Sequence, residues 1–371
     1  MWHALPLLIM LVAAPAAAQP SAAKEYPTAA DGYFEQLEPV VPGIWRIAQP
    51  GFQVQPIGNV TVVEQADGLV VIDAGGSPGS GRRIVGLIRK ASPKPVKAIV
   101  ITHWHGDHVQ GLSELVRAWP TARTLATAAT KAHLADPKTM NSPAEPDPKR
   151  NATLLQQIRG FQDYIAGKVG KAPPAERQGW AAGQRLMNQY EIDMDGALTI
   201  APKEGFTDRL LIDDPERPVE LRFLGRANTD GDAVTWLPRQ RIVVTGDIVV
   251  APSPYGFGSY PGDWIGVLKK LKALDFAILL PGHGAPQRDT DYLDRLIALI
   301  EEVRAQVAPL AVQGLPLAEV QQKVDLSAHR ARLIGGDAWK ERWFTPYWQQ
   351  PIVASAYREA RGEPIVQSLG S

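Results

Sequence analysis

The sequence predicts an α/β sandwich that carries a helical insertion and helices at its carboxyl end. Three observations predict this class. Short apolar runs typical of strands fall into two groups, amphipathic helical patterns lie between and after them, and no short-period repeat indicates a solenoid or a propeller. The chain has 371 residues, of which 45% are hydrophobic, so it can bury a large core.

The first half begins with strands and continues as an alternation. The segments GIWRIAQ, GNVTVVEQ and GLVVIDAGG have the composition of strands, and we expect an antiparallel start. The segment GSGRRIVGLIRKA then places Ile84, Leu87 and Ile88 at helical spacing, and VKAIVI is a short run of the buried-strand kind. Strand, helix and strand in this order predict a βαβ unit.

Residues 127–193 interrupt this pattern and predict a helical insertion. The segment is rich in Ala, Gln, Lys and Pro, with NSPAEPDP as a linker and ATLLQQIRGFQDYIAGKV as a helix. A second strand-rich half follows in the segments GALTIAP, DRLLI, VELRFLG, AVTWLP and RIVVTGD, before the helix DWIGVLKKLKAL and the strand FAILLPGHG.

The end of the chain is predicted to be helical. From Tyr292 onward one helical face is apolar, with Leu296, Leu299, Ile300, Val303 and Val307. We therefore divide the chain into a signal peptide at 1–18, a domain at 19–290 that contains the insertion, and a helical extension at 291–371 packed on that domain.

Composition excludes several classes of function. Lys plus Arg and Asp plus Glu number 39 each, so no net field attracts polyanions, and we expect no nucleic acid as a partner. Cysteine is absent, which excludes thiolate ligands, a cysteine nucleophile and disulfides. A transition metal would therefore be held by His, Asp or Glu.

The amino terminus, MWHALPLLIMLVAAPAAAQP, predicts a secretory signal that ends near Ala18. Its apolar stretch is too short and too proline-broken to span a bilayer, so we expect no stable membrane insertion. The head lacks Lys and Arg, which leaves a buried or anchoring segment as the alternative. Export without cysteines suits a bacterial periplasm, so the expected location is periplasmic or secreted.

Four apolar runs end in potential metal ligands: AIVITHWHGDH, FLGRANTDGD, IVVTGD and AILLPGHG. Ligands at one sheet edge can converge on a single cleft. In THWHGDH, His103 and His105 lie two apart on an extended strand end and can point the same way. Asp107 and His108, after Gly106, can turn toward a second point. The cluster can thus supply ligands to one ion, or to two ions about 3.5–4 Å apart.

THWHGDH resembles the signature of the metallo-β-lactamase superfamily, and VVTGD and PGHG resemble its later motifs in the expected order. The resemblance extends from about Gly43 to Pro286, apart from the insertion. It implies a four-layer αβ/βα sandwich and a metal-bound hydroxide that attacks a carbonyl, phosphoryl or sulfuryl centre. It also implies ligand roles: His103 and His105 for a first metal, Asp107, His108 and His283 for a second, and Asp247 as a bridge, with Asp107 and Asp247 as the candidate catalytic residues.

One position departs from the family pattern. Where a motif like GHTxGD has a histidine, this chain reads GRANTDGD, with Asn228 in that place. A neutral amide oxygen is a poorer zinc donor than imidazole. We therefore expect Zn²⁺ as the cofactor, with one ion firmly bound in the second site and another held weakly if at all; other divalent metals remain open. Asn228 has three interpretations: weak ligand, substrate-facing hydrogen-bond donor, or turn residue.

Several other residues have two interpretations each. Asp73 and Asp232 could orient ligand histidines or only hold turns. The loop AQPGFQVQPIGN could form a flap, and Tyr255, Phe257 and Tyr260 on a glycine-rich loop could contact a substrate or pack against the insertion.

The sequence predicts a secreted metal-dependent hydrolase of a small-molecule ester, lactone, thioester or amide, with β-lactams among the candidates. A fold does not name a substrate. The alternative is a periplasmic binding or accessory protein on the same fold with little or no turnover.

Overall fold

A computed structural model describes residues 34–49, 57–140 and 142–367. The predicted signal peptide and residues 50–56 of the predicted flap lie outside the described residues. Within them, two sheets pack against each other through a shared apolar core that includes Ile72 and Val100 of one sheet and Leu221 and Val244 of the other. Helices cover the outer face of each sheet, which confirms the predicted four-layer sandwich.

The first sheet has seven strands in chain order. They are β1 (Gln36–Val41), β2 (Ile44–Ala48), β3 (Val60–Glu64), β4 (Leu69–Ile72), β5 (Val96–Val100), β6 (Arg123–Thr127) and β7 (Glu204–Phe206). Strands β1 to β4 pair in an antiparallel way, and β4 to β7 are parallel. The antiparallel start and the βαβ unit, with helix α1 (Pro78–Ala91) between β4 and β5, are thus confirmed.

The second sheet has the order β12-β11-β10-β9-β8. Its strands are β8 (Arg209–Ile212), β9 (Val219–Phe223), β10 (Ala233–Leu237), β11 (Ile242–Val244) and β12 (Ile278–Leu280). Among these five strands, only β11 and β12 pair in a parallel way, and helix α7 (Pro261–Lys272) connects them.

The prediction of a strand at GALTIAP was wrong. Thr199 of this segment donates its backbone N–H to the carbonyl of Pro143, and its side chain bonds Ser142, so its polar groups are used by the linker of the insertion. The next segment instead supplies β7, and β1 and β6 are further strands that the sequence pattern did not mark.

The helices of the first half and the insertion are α2 (Gly106–Val109), α3 (Leu112–Ala118), α4 (Ala128–Ala135), α5 (Pro148–Val169) and α6 (Arg177–Met194). Helix α5 is capped by Asp147, whose carboxylate accepts hydrogen bonds from two backbone N–H groups. The long helices α5 and α6 bury Ile165, Trp180 and Met187 between them. The end of α6 is fixed to α1 because Arg83 bonds both Asp193 and Glu35, whose carboxylates are nearly fully buried.

The carboxyl end is helical, as predicted. It contains α8 (Asp291–Val312), α9 (Leu317–Lys323), α10 (Ser327–Ile334), α11 (Ala338–Phe344), a π-helical turn (Thr345–Gln349) and α12 (Gln350–Ala360). With α7, these helices share one core with the outer face of the second sheet. Trp339 and Trp343 also contact Trp180 of the insertion. In the part of the chain that the structure describes, every helix is too short or too polar to cross a bilayer.

Candidate metal centre

The strand ends bring the predicted ligands to one edge. Ile72 lies beside Val100 in the first sheet, and Val244 lies beside Leu280 in the second. Because each pair is parallel, the segments that follow leave the sheets at the same edge. These segments carry Asp73, residues 102–108, Asp247 and His283. A hydrogen bond of 2.7 Å from the Ala233 backbone N–H to the Thr102 carbonyl joins the two sheets there.

Four of these residues form what we call the second metal group: Asp107, His108, Asp247 and His283, whose ligand atoms all lie within 4.8 Å of one another. His108 Nε2 is 3.1 Å from Asp247 Oδ1 and 3.4 Å from Asp107 Oδ2. His283 Nε2 is 2.9 Å from Asp107 Oδ2 and 3.4 Å from Asp247 Oδ1. Two imidazoles and two carboxylates thus surround one point.

His103, His105 and Asp247 form the first metal group, with ligand atoms again within 4.8 Å. His103 Nε2 lies 3.1 Å from His105 Nδ1 and 3.8 Å from Asp247 Oδ2. Asn228 approaches the same place, with Nδ2 at 3.4 Å from His105 Nδ1. Asp247 therefore offers Oδ1 to the second group and Oδ2 to the first.

Asp73 fixes one histidine of each group. Its carboxylate accepts from the Thr102 hydroxyl at 2.9 Å and faces His108 Nδ1 at 2.8 Å. Because the single hydroxyl proton of Thr102 is donated to Asp73, its oxygen accepts at 3.0 Å from His103 Nδ1. His103 then carries its proton on Nδ1 and turns an unprotonated Nε2 toward the centre. Asp73 likewise holds a proton on His108 Nδ1, so that His108 Nε2 is the atom left to bind a metal, as in metal-ligating histidines.

The residues present fit a divalent cation. His108 Nε2, His283 Nε2 and Asp247 Oδ1 are buried without a hydrogen bond among the described residues, although they approach one another closely. Buried polar atoms normally have partners, so atoms that converge without one indicate a missing cation. Imidazole nitrogen and carboxylate oxygen are the ligands of zinc and similar ions, so the two groups would hold such an ion.

The histidines of the two metal groups differ in the direction of their pKa shifts. Burial lowers the pKa of His103 well below the ordinary histidine value and also lowers that of His105. Burial opposes the charged form of His108 and His283 as well, but the two carboxylates of the second group outweigh it. They raise the pKa of His108 well above its usual range and that of His283 to about 9. The second group is therefore the stronger attractor of positive charge.

Of the three predicted substrate-loop aromatics, Tyr255 lies beside the centre. The Tyr255 ring is 5.2 Å from His283, and Phe257 lies 6.4 Å from Tyr255. Tyr347 of the π-helical turn packs against both rings at 5.7 and 5.8 Å. The Tyr260 ring instead has the Arg226 guanidinium stacked on it at 4.4 Å. We call Tyr255, Phe257 and Tyr347 the aromatic wall.

Sequence reasoning missed the roles of Asn59, the last residue of the predicted flap, and of Tyr347. Asn59 donates from Nδ2 to the carbonyls of Pro281 and Gly284, at 3.1 and 3.0 Å, and so holds the loop of His283. Both residues act across more than 80 positions of sequence, and neither belongs to a motif. His133 of α4 stacks on Trp104 of the signature at 5.1 Å.

Asp232 holds the turn after Asn228. Its Oδ2 accepts from the Thr229 N–H at 2.8 Å, and Oδ1 has no partner among the described residues. Burial raises its pKa to about 8. Its hydrogen bond is thus to the turn, whereas Asp73 is the carboxylate that contacts a predicted ligand.

A family model described as "Metallo-beta-lactamase superfamily" matches residues 55–283. A linear primary-alkylsulfatase from Pseudomonas sp. is 25% identical over 292 residues, which are 73% of this chain and 50% of that protein. An atrochrysone carboxyl ACP thioesterase from Passalora fulva is 29% identical over 86 residues, 23% of this chain and 26% of that one. The chain spans about half the length of the alkylsulfatase and a smaller part of the thioesterase.

Solved structures share the fold. A stereoselective inverting sec-alkylsulfatase from Pseudomonas sp. aligns with a TM-score of 0.60 at 18% identity, over 88% of this chain and 50% of that one. A metallo-beta-lactamase from Pontibacter korlensis aligns with a TM-score of 0.51 at 16% identity, over 72% of this chain and 99% of that one. At these identities the likeness concerns the fold alone.

Proposed function

Because the chain belongs to the metallo-β-lactamase superfamily, we propose that it is a metal-dependent hydrolase of a small ester with an apolar alcohol part, and that sulfate esters are its first candidate substrates. One observation carries the hydrolase proposal: two ligand groups share Asp247 at the carboxyl edge of both sheets. Thioesters, lactones and amides, including β-lactams, are the other candidates. We also propose, from the composition of residues 1–18, that the protein acts in the periplasm or outside the cell.

The proposed ion and the residues around it would have different roles in the reaction. A divalent ion held there would act as a Lewis acid and bring the pKa of a water molecule toward neutral. Asp73 holds a proton on Nδ1 of His108 directly and on Nδ1 of His103 through Thr102, so that the Nε2 atom of each ring is directed inward. Burial of both groups keeps bulk water from the charges, which strengthens every electrostatic contact inside.

The aromatic wall supports an apolar alcohol part. Tyr255 contacts His283 directly, and Tyr347 extends this surface away from the ligands. Such rings bind an apolar body, while a few polar groups fix the reacting end. The alkylsulfatase name of the relative matched over 73% of the chain supports a sulfate ester; the thioesterase match covers only 23%.

A substrate panel tests this proposal. Zinc-loaded protein is assayed on primary alkyl sulfates of increasing chain length, matched carboxylic esters, a thioester, a lactone and a β-lactam. We expect turnover of the alkyl sulfates, with KM falling as the chain lengthens. In Asp107→Asn, kcat/KM should fall by more than the roughly 10- to 100-fold that is typical when a residue behind a metal ligand is changed. The control is Asp294→Asn, an exposed carboxylate on α8 that pairs with Lys272.

The outcomes separate the alternatives. Turnover of another ester class, lost in Asp107→Asn, would keep the hydrolase and replace the sulfate ester. Metal-loaded protein that turns over none of the panel would overturn the hydrolase proposal and favour the binding or accessory protein.

A further inference from the structure

We propose that Asn228 is a ligand of the first metal group through its side-chain oxygen, and that the two groups consequently fill in order, the second group before the first. This inference rests on the metal-binding part of the proposed function and not on the reaction. It chooses among the three interpretations that the sequence left open for this residue, and each choice follows from a contact or from burial.

Burial argues against a substrate-facing donor. Asn228 is 0% exposed, whereas Asp107 of the second group keeps 14% of its side chain accessible. A side chain enclosed to this degree cannot present its amide to a substrate in the cleft. It can reach only groups that are enclosed with it, and among the described residues His105 is the one within hydrogen-bond range.

The turn does not need the Asn228 side chain. Thr229 donates its N–H to Asp232, and Gly231 donates to the Thr229 hydroxyl. The hydroxyls of Thr127 and Thr130 both donate to the Gly231 carbonyl, which ties the turn to β6 and α4. The bonds that shape residues 227–232 are therefore made by its neighbours, and the amide of Asn228 remains for another task.

The amide points at the first metal group. Its Nδ2 lies 3.4 Å from His105 Nδ1, and its Oδ1 is buried with no partner among the described residues. The oxygen and nitrogen of an amide exchange places by a half-turn about the last side-chain bond. That half-turn sets the oxygen beside His105 Nδ1, which is itself 3.1 Å from the unprotonated Nε2 of His103. With Asp247 Oδ2, four donor atoms then face one point.

The charges of the two groups predict the order of filling. The first group would bind an ion with two imidazoles, one neutral amide and a shared carboxylate. The second has two imidazoles, the same shared carboxylate and the carboxylate of Asp107 as well. A full negative charge a few ångströms from a dication contributes far more than an amide dipole, so the second group binds first.

Calorimetric titration with Zn²⁺, together with the visible spectrum during Co²⁺ titration, tests the inference without any assay of turnover. The chain as it is should bind two ions in two separate steps. Asn228→Leu, of similar size and without a donor, should weaken the second step by about tenfold or more and leave the first step unchanged. Asn228→His and Asn228→Asp should strengthen the second step. The Co²⁺ bands of the second step should change in all three variants.

Each result has a distinct meaning. Asn228→Asp and Asn228→His keep the test decisive if the leucine variant fails to fold. Two steps with the same affinities and spectra in every variant would overturn the inference and leave the proposed function intact. A single ion in the natural chain with two in Asn228→His would also overturn it, because the amide would then contribute nothing. Zinc binding in none of the proteins would instead overturn the proposed function.

Discussion

Asp73 contacts His108 of the second metal group directly and His103 of the first group through Thr102. It accepts from the Thr102 N–H at 2.8 Å and from the Thr102 hydroxyl, and it faces His108 Nδ1. Its backbone has φ of 67°, in the left-handed region that non-glycine residues rarely adopt. Strain of this kind persists where the surroundings fix it, and here three contacts to the ligand-bearing segment do so. The sequence left its role open between a turn and a positioning carboxylate, and the distance to His108 favours the latter.

Asp73→Asn tests this positioning role. The amide can still accept from the Thr102 N–H, but its NH₂ group would face His108 Nδ1 and drive the proton of that ring to Nε2. We expect metal affinity to fall roughly 10- to 100-fold while the fold is retained, as for other outer-sphere partners. Titration calorimetry with Zn²⁺ measures it. Asp275→Asn is the matched control, since Asp275 also has positive φ, at 52°, but lies on the surface beside Arg241. Equal affinities in the two variants would contradict the prediction.

At the scale of elements, the loop after β12 is held by Asn59, the residue directly before β3. Asn59 donates to the Pro281 and Gly284 carbonyls, and its N–H bonds the Gly282 carbonyl at 2.7 Å. Gly282 itself leaves no room for a side chain, because a Cβ there would lie 2.0 Å from Asp247 Oδ1. The loop therefore places His283 by close backbone contact on one side and by hydrogen bonds on the other.

Asn59→Ala should loosen this loop. Gly284 keeps a bond from Arg46, but the Pro281 carbonyl loses its side-chain donor and stays buried. An unpaired buried carbonyl costs about 1–3 kcal/mol of unfolding free energy, and metal affinity should fall with it. Denaturant unfolding and zinc titration measure both. Asn151→Ala is the control: its amide makes two exposed bonds within the insertion, so we expect a change within about 0.5 kcal/mol. If both variants lose equal stability, Asn59 has no special part in the loop.

The elements also show what sequence patterns can predict. β3 to β5, α1 and α8 follow from local periodicity, because their apolar residues face a core at fixed spacing. The contiguous ligands of residues 103–108 follow from one motif for the same local reason. The three residues of β7 and the lost strand at GALTIAP depend on partners far along the chain, at β6 and in the linker before α5. Asn59 and Tyr347 were missed because their contacts join segments that no local pattern connects.

At the scale of the whole molecule, the metal centre joins the two sheets. Residues 103–108 follow the first sheet, whereas Asp247 and His283 follow the second. The insertion and the carboxyl-terminal helices meet through Trp180 and Trp343 at 5.7 Å, and Tyr347 continues this contact toward Tyr255. Aromatic contacts thus connect the insertion and the carboxyl-terminal helices to Tyr255, whose ring contacts His283. An ion that binds residues from both sheets would stabilise the fold and not only one loop.

Chelation should therefore lower the melting temperature by an amount that depends on pH. In metal-free protein the pKa of His283 is raised to about 9 and that of His108 is also raised, against about 6.5 in the unfolded chain. Their protonated rings pair with Asp247 and Asp107, so this stability is complete below pH 6.5 and is lost as the pH rises through 9. A bound ion replaces those histidine protons, so the affinity of the site for the ion increases as the histidines lose their protons at higher pH.

The difference in melting temperature between zinc-loaded and chelated protein should consequently widen from pH 6 to pH 9. Differential scanning calorimetry at pH 6.0, 7.5 and 9.0 measures it, and Asp294→Asn serves as a control with the centre intact. In Asp107→Asn the widening should be smaller, because one of the two carboxylates that raise the histidine pKa values is gone. A difference that stays constant across this range would show that the histidines of the second group do not exchange protons for the ion.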